Sequence, residues 1–373
     1  MKRSLLTPPI VADRSNPSDF SISVRSYGPV AAGGKGRRRQ PMRGFEDTYT
    51  DIVDYIVRIT ARIWDEQDVG YLHRCYAEDI RVVTEDGVRV GRAAIIEGVL
   101  EHLAAFPDTR VLADEIIWAG DEDVGFATSH RNITIGHHSG LAELGVPTGK
   151  KSVVWGIANC VSIENYIFAE HELTDLVTFY RQLGLDPVET ARQGAADLSP
   201  NDFEGRVAAA SDWFTGNAEP LAMGPVPDGF DITDFVTRVA HHAWNWRNLS
   251  VVDKAYSPTV RWHGPSGRDF YGRRELKGFM LSMLGSFPDL NYHIDDLYFI
   301  GNEREGFRVA VRWTMLGTHR GGGPFGQATG RRVHLWGITQ QTVERGLIVE
   351  EWTLFNEFEV LEQLCCDEPL IRE

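Results

Sequence analysis

Positive charge is in short supply. The 373-residue chain carries 38 Lys and Arg against 53 Asp and Glu, a net charge of -15. Phosphate recognition needs a basic face, so this balance argues against a nucleic-acid partner. Cysteine is scarce too: Cys75, Cys160, Cys365 and Cys366 include no CxxC pair, and adjacent cysteines rarely bridge each other. Reduced thiols are expected, with no structural zinc or other metal. There is no apolar run of the roughly 18 residues that a membrane helix needs. The opening MKRSLLTPPIVADR breaks its apolar patch too early for a signal peptide. A cytoplasmic protein with no membrane partner is the expectation. The one basic cluster, KGRRRQPMR at residues 35–43, sits in a Gly/Pro-rich stretch and reads as a solvated arm. GGKGRRR lacks phosphate-loop spacing.

What the chain does have, it has twice. PTGKKSVVWG at residues 147–156 returns as ATGRRVHLWG at residues 328–337. At an offset of 180, Asp51, Asp54, Arg58, Trp64 and Tyr76 meet Asp231, Asp234, Arg238, Trp244 and Tyr256. After one inserted residue the offset is 181, and Gly91, Phe106-Pro107-Asp108, His138, Thr148-Gly149 and Trp155-Gly156 meet their counterparts. One insertion across so long an alignment marks a duplication. The expected organisation is a tail at 1–45, one domain at 46–185, a linker at 186–228 and a second domain at 229–373. Each copy opens on helical spacing, such as Ile232, Phe235, Val239 and Trp244, and then shifts to the period of two that marks strands. Helices followed by a meandering antiparallel sheet give an α+β class. A curved sheet with helices on its concave side would enclose a pocket.

These words, in this order, resemble the SnoaL-like polyketide cyclase family within the nuclear-transport-factor-2-like fold. The resemblance rests on the early Trp64 and Trp244, the Gly before a helix (Gly91, Gly272), FPD, and Gly317-Thr318-His319. It rests also on TG plus a base, and on a closing E-E-W-x-x-x-D strand. The last runs from Glu350-Glu351-Trp352 to Asn356, and more loosely from Ala169-Glu170-His171 to Asp175. The resemblance implies two tandem cone-shaped α+β barrel domains, each a mostly antiparallel sheet around a pocket. It implies intramolecular aldol chemistry on a small-molecule carbonyl substrate, with no cofactor. Such chemistry needs a base beside the carbonyl, a donor for the enolate oxygen and an acid for the new alkoxide. Cyclisation, isomerisation and elimination all fit. A hydrolase or hydratase using the same pocket, and a non-catalytic binding module, are the alternatives. Relatives commonly pair through their sheets, so the two copies are expected to pair within the chain, with a further homodimer open.

The family's acid/base Asp corresponds to Asp175, which makes copy one the nominal acid/base half. Copy two has Asn356 there, and an amide cannot titrate. Strand alternation groups His171, Leu173 and Asp175 on one face, and Trp352, Leu354 and Asn356 on another. Trp155, Ile157 and Asn159 share a face, as do His334, Trp336, Ile338 and Gln340. If these faces look inward, they build an aromatic, sparsely polar small-molecule site. His171 and Asp175 lie about 13 Å apart along a regular strand and cannot bond directly. His263, in RWHGPSG, and His334 are the catalytic candidates of copy two. His138 and His319 fall at strand ends as candidate contacts, and Arg131 and Arg312 could clamp an anion. No carboxylate sits at metal-ligand spacing from His137-His138. The TGKK and TGRR echo itself reads as a turn and strand start.

Overall fold

A computed structural model describes residues 38–141, 145–196 and 210–366, with Leu198, Val207, Leu370 and Ile371. Residues 1–37 of the expected tail, with the start of the basic cluster, lie outside the described residues, as does part of the expected linker. The chain divides into two units: the first runs to Leu185 and takes in Tyr298–Ile300, and the second holds the rest from Asp186.

The first unit opens on helix α1, Ile52–Trp64. This helix is rich in β-branched residues and would be poor in isolation. It forms because Asp51 caps it, accepting the Asp54 N–H at 2.9 Å, and because Ile52, Tyr55, Ile56, Ile59 and Ile63 bury one face. A short helix α2, Leu72–Cys75, leads into β1, Tyr76–Thr84, and β2, Gly87–Val90. Helix α3, Arg92–Ala105, follows, then β3 Arg110–Asp121, β4 Gly125–His137, β5 Lys151–Ile163, β6 Tyr166–Thr174 and helix α4 Leu176–Leu183. Residues read as tail also pack here: Met42 and Phe45 are buried, and Phe45 meets the Tyr55 ring edge-on.

The second unit repeats the plan. Helix α5, Pro187–Gly194, arises within the expected linker and packs against the last helix of the chain. Helix α6, Ile232–Ala240, is capped by Asp231 as α1 is by Asp51. Then come α7 Ser250–Ala255, β7 Tyr256–Gly264, β8 Arg268–Tyr271, α8 Arg273–Ser286, β9 Asn291–Asn302, β10 Gly306–Thr318, β11 Arg332–Glu344, β12 Leu347–Phe355 and α9 Glu357–Cys365.

Both sheets have six strands, in the orders β2-β1-β6-β5-β4-β3 and β8-β7-β12-β11-β10-β9. The α+β class and the antiparallel meander are as expected, with one parallel join in each sheet, β1 to β6 and β7 to β12. The expected barrel is corrected in one respect. Neither sheet closes, because β2 and β3 in one, and β8 and β9 in the other, remain edges. No helix among the described residues is long and apolar enough to cross a membrane.

The echoed words are the hinge of this architecture. Gly149 and Gly330 hold the left-handed φ values of 68° and 70° that the turn before β5 and β11 requires. The preceding Thr148 lies 3.3 Å from His138 Nδ1, and Thr329 lies 3.2 Å from His319 Nδ1. His138 stacks on Phe106 of the first FPD, and His319 meets Phe287 of the second. Asp289 of that second FPD accepts both the N–H and the hydroxyl of Thr318 at 2.7 Å. FPD, GTH and TG are therefore one packed corner, built twice.

Candidate active site: two cones, two interiors

The concave side of each sheet, closed by the helices, defines the interior. In the second unit a cavity shows which strand positions look inward: Val311, Trp313 and Met315 on β10, Thr339 and Gln341 on β11, Glu351, Thr353 and Phe355 on β12. Tyr256, Trp262 and Tyr292 complete the sheet side, while Trp244, Leu276, Phe279, Met280 and Met283 come from the helices. The free volume is about 60 Å³, room for a few water molecules. Aromatic and thioether side chains fill this cone.

The one carboxylate inside it, Glu351, is enclosed by donors. Tyr256 OH donates at 2.8 Å, Trp262 Nε1–H at 2.9 Å, Gln341 Nε2–H at 2.8 Å and Thr353 OH at 3.2 Å. Trp313 Nε1–H donates to Thr339 at 3.0 Å, and Thr339 meets Thr353 at 2.9 Å. Gln341 Oε1 is buried with no partner among the described residues.

The first unit places different chemistry on the same scaffold. Glu170 occupies the Glu351 position and accepts from Tyr76 OH at 2.9 Å and, more weakly, from the Cys160 thiol at 3.5 Å. Glu172 stands where copy two has Thr353, two residues on and on the same face. Burial pushes Glu172 up to about 7, the Glu170 carboxylate adds to the rise, and Arg89 opposes it. Burial likewise raises Glu170, against the hydrogen bonds from Tyr76 and Cys160. The β-ladder sets Glu172 opposite Ala158, and Ala158 opposite His130, so an alanine floor separates the carboxylate from the imidazole. His130 is buried, its Nε2 has no hydrogen-bond partner among the described residues, and burial lowers it to about 4, so the ring is neutral at pH 7.

The lining of copy one is also smaller. At the aligned offset Trp313 becomes Asn132, Tyr292 becomes Val111, Met315 becomes Thr134, Phe355 becomes Thr174 and Phe279 becomes Gly98. The accessibilities agree with the volumes: Glu172, Thr134 and Thr174 keep accessible surface, while Thr353, Met315 and Phe355 are buried.

The faces expected to look inward look the other way. In copy two, His334, Trp336, Gln340, Trp352 and Asn356 alternate with the cavity-lining positions. His334 and Trp336 are packed under α9: Gln363 Nε2–H donates to the His334 carbonyl at 2.9 Å, and Trp336 Nε1–H to Glu359 at 3.3 Å. Asn356 joins β11 to α9, accepting Trp336 N–H at 2.9 Å and donating to Glu359 at 2.5 Å. His263 stacks on Trp352 with centroids 3.8 Å apart and pairs with Asp269 at 2.5 Å, away from the cavity. Arg312 pairs with Asp295 at 3.2 Å. In copy one, Trp155, Asn159 and His171 share the parity opposite to Cys160, Glu170 and Glu172. Arg131 is taken by Asp114 at 2.6 Å. Asp175 caps α4, accepting the Thr178 N–H at 3.1 Å. His138 and His319 belong to the packed corner. The physical reason for the inversion in copy two is that both faces of its sheet are covered, so apolar content does not mark the concave one. Trp336 and Trp313, on opposite faces, are each 4% exposed. Sequence reasoning missed Glu170, Glu172, His130, Tyr76, Glu351 and Gln341. Glu170 and Glu351 stand inside the quoted closing-strand words, and that was the available signal.

Comparison with known proteins follows the duplication. The profile of the SnoaL-like polyketide cyclases matches residues 54–183 and again residues 235–364. No curated protein matches the chain. Among solved structures, a candidate SnoaL-like polyketide cyclase from Jannaschia sp. CCS1 is 17% identical over 39% of this chain and 100% of its own, with a TM-score of 0.34. AclR, a candidate hydroxylase from Streptomyces galilaeus, is 26% identical over 35% of this chain and 83% of its own, with a TM-score of 0.30. IdmH, a candidate polyketide cyclase from Streptomyces antibioticus, is 23% identical over 35% of this chain and 96% of its own, with a TM-score of 0.30.

Proposed function

Because the chain belongs to the SnoaL-like polyketide cyclase family, matched in two tandem regions that span most of its length, we propose that it is a cofactor-independent acid/base enzyme acting on a small carbonyl compound, with the chemistry in copy one. The observation that carries this reading is Glu172, on the same face of β6 as Glu170, the pair opposite Ala158 and Cys160, with a carboxyl that burial pushes up to about 7. Two carboxylates in one site cannot both ionise easily, so the pair holds one proton at the lower end of the physiological range. In its ionised form Glu172 takes a proton from the carbon beside the substrate carbonyl. The electron pair moves onto the carbonyl oxygen, where the neutral His130 imidazole is the available donor, the Tyr76 OH being held by Glu170. The resulting enolate attacks a second carbonyl carbon to close a ring, and the new alkoxide takes a proton from the acid form of the carboxylate pair. Returning the first proton to a different carbon would instead give isomerisation, and loss of a β-substituent elimination.

Copy two then has a different task. Its filled cone and enclosed Glu351 favour a structural or binding role for that half. Asp175 and His263 serve the reading as comparison sites, outside the acid/base pair. The test is deuterium uptake. Wild type and Glu172→Gln are incubated with small ketones and 1,3-diketones in heavy water, and mass spectrometry follows label on carbon. Uptake by wild type that Glu172→Gln loses is the expected result. Uptake that persists in Glu172→Gln, or that disappears only in variants of Glu351, would move the active site out of copy one.

A further inference from the structure

One coordinated replacement distinguishes the mouths of the two cones. In copy two, Trp262 stacks on Phe270 with centroids 5.0 Å apart and meets Phe279 at a tilt at 4.8 Å, an aromatic cluster that closes the sheet against α8. In copy one the aligned residues are Val82, Arg89 and Gly98. Val82 pairs with Arg89 across β1 and β2, and with Glu170 across β1 and β6, as Trp262 pairs with Phe270 and Glu351. Arg89 thus lies on the inward face, two strands from the carboxylates. Its guanidinium rests directly on α3: a Cβ added at Gly98 would lie 1.6 Å from Arg89 Nη1. Gly98 has ordinary helical backbone, so its lack of a side chain serves this contact and not a turn.

Arg89 is half-buried and, among the described residues, makes no hydrogen bond or ion pair. A planar fork of donors held against a glycine on the inward face, with no hydrogen-bonded carboxylate or carbonyl among the described residues, suits an oxyanion. We propose that Arg89 is the anchor for a negatively charged group of the substrate, so that copy one acts on a carbonyl compound that also carries a carboxylate or a phosphate ester. The proposal rests on copy one being the acid/base site. It gives that site an address: the anion binds at the β2 edge over Gly98 and presents the neighbouring carbon to Glu172. Arg89 also favours the ionised form of Glu172, and an anion bound to it would weaken that influence.

The test reads the arginine itself. With 15N-labelled arginine, the Arg89 Nε–H resonance is assigned as the signal missing in Arg89→Met. It is then followed during addition of 2-oxobutyrate, of its neutral methyl ester, or of dihydroxyacetone phosphate. The same samples in heavy water report label uptake on carbon. The expected result is that at least one anion shifts the resonance while the ester does not, and which anion does so identifies the group. Arg89→Met weakens that anion about tenfold to hundredfold, and Arg89→Lys restores part of the loss. Gly98→Ala weakens it as well, through displacement of the guanidinium, in a helix the change otherwise favours. No shift with either anion, an equal shift with the ester, or equal binding to Arg89→Met would overturn the assignment. The two readings fail separately. Anion binding without label uptake leaves Arg89 in place and removes Glu172 as the base. Equal label uptake from acid and ester, unchanged in Arg89→Met, leaves Glu172 and removes Arg89.

Discussion

The two copies hold one scaffold and two interiors. Each keeps a glutamate at the same point of its closing strand with a tyrosine hydroxyl on it, Glu170 with Tyr76 and Glu351 with Tyr256. Around that shared pair everything else diverges. Copy two adds Trp262, Gln341 and Thr353 as donors to Glu351 and fills the cone with aromatics. Copy one answers with Val82, Cys160 and Glu172, and keeps small or polar lining. The difference teaches that a buried carboxylate is not by itself a functional sign. Surrounded by donors, it is a satisfied core group. Beside a second carboxylate and near a neutral imidazole, it is the group we propose for proton transfer.

The largest expected effect that would break this comparison is catalytic. Glu172→Gln should slow label exchange by about 100-fold or more, the usual scale for a positioned general base. Glu351→Gln should leave exchange within a few-fold of wild type, measured per folded molecule.

A stability effect of similar size should fall on the other copy. Trp313→Ala should cost about 3–5 kcal/mol in chemical denaturation, as large core truncations do. The aligned Asn132→Ala should cost far less. Equal losses would mean that the first cone is packed as tightly as the second.

The third expectation concerns pH. Glu172 binds its proton more tightly in the folded chain than in the unfolded one, where its value is near 4.5. Its contribution to stability is therefore complete below about pH 4.5 and is lost as pH rises through about 7. Relative to wild type, Glu172→Gln should gain stability between those limits, by about 3 kcal/mol at most. Wild-type exchange should rise with pH through about 7, because the ionised form is the base. A stability difference that does not change between pH 4 and 8 would contradict the assignment.

The smallest effect is at Asp175. Asp175→Ala should cost about 0.5–2 kcal/mol through loss of the α4 cap. Asp175→Asn should cost little, and neither should alter exchange per folded molecule. Loss of exchange in Asp175→Asn would return the chemistry to the closing-strand aspartate.

Much of this was legible in the sequence, for reasons that particular residues make plain. Duplication needs only aligned words. Helix starts announce themselves through Asp51 and Asp231, and the turns through Gly149 and Gly330, because caps and left-handed turns are local chemistry. The concave face was not legible. A one-residue change of parity sends every side chain of a strand to the opposite face, and Trp336, Ile338 and Leu354 on the outer face are as apolar as Trp313 and Phe355 within. The parity that carries Trp155, Trp336 and Trp352 also carries Asp175, His334 and Asn356, and the opposite parity carries Glu170, Glu172 and Glu351. Arg89 was hidden differently. It lies on a four-residue strand, and its meaning appears only when Val82 and Gly98 are seen around it.

The measurement that bears most directly on the account is a titration of the glutamate side-chain carboxyls by 13C NMR, in wild type and in Glu172→Gln. One carboxyl with a midpoint near 7 is expected in wild type, absent from Glu172→Gln and still present in Glu351→Gln. A wild-type spectrum in which every glutamate titrates in the ordinary range near 4–5 would contradict it.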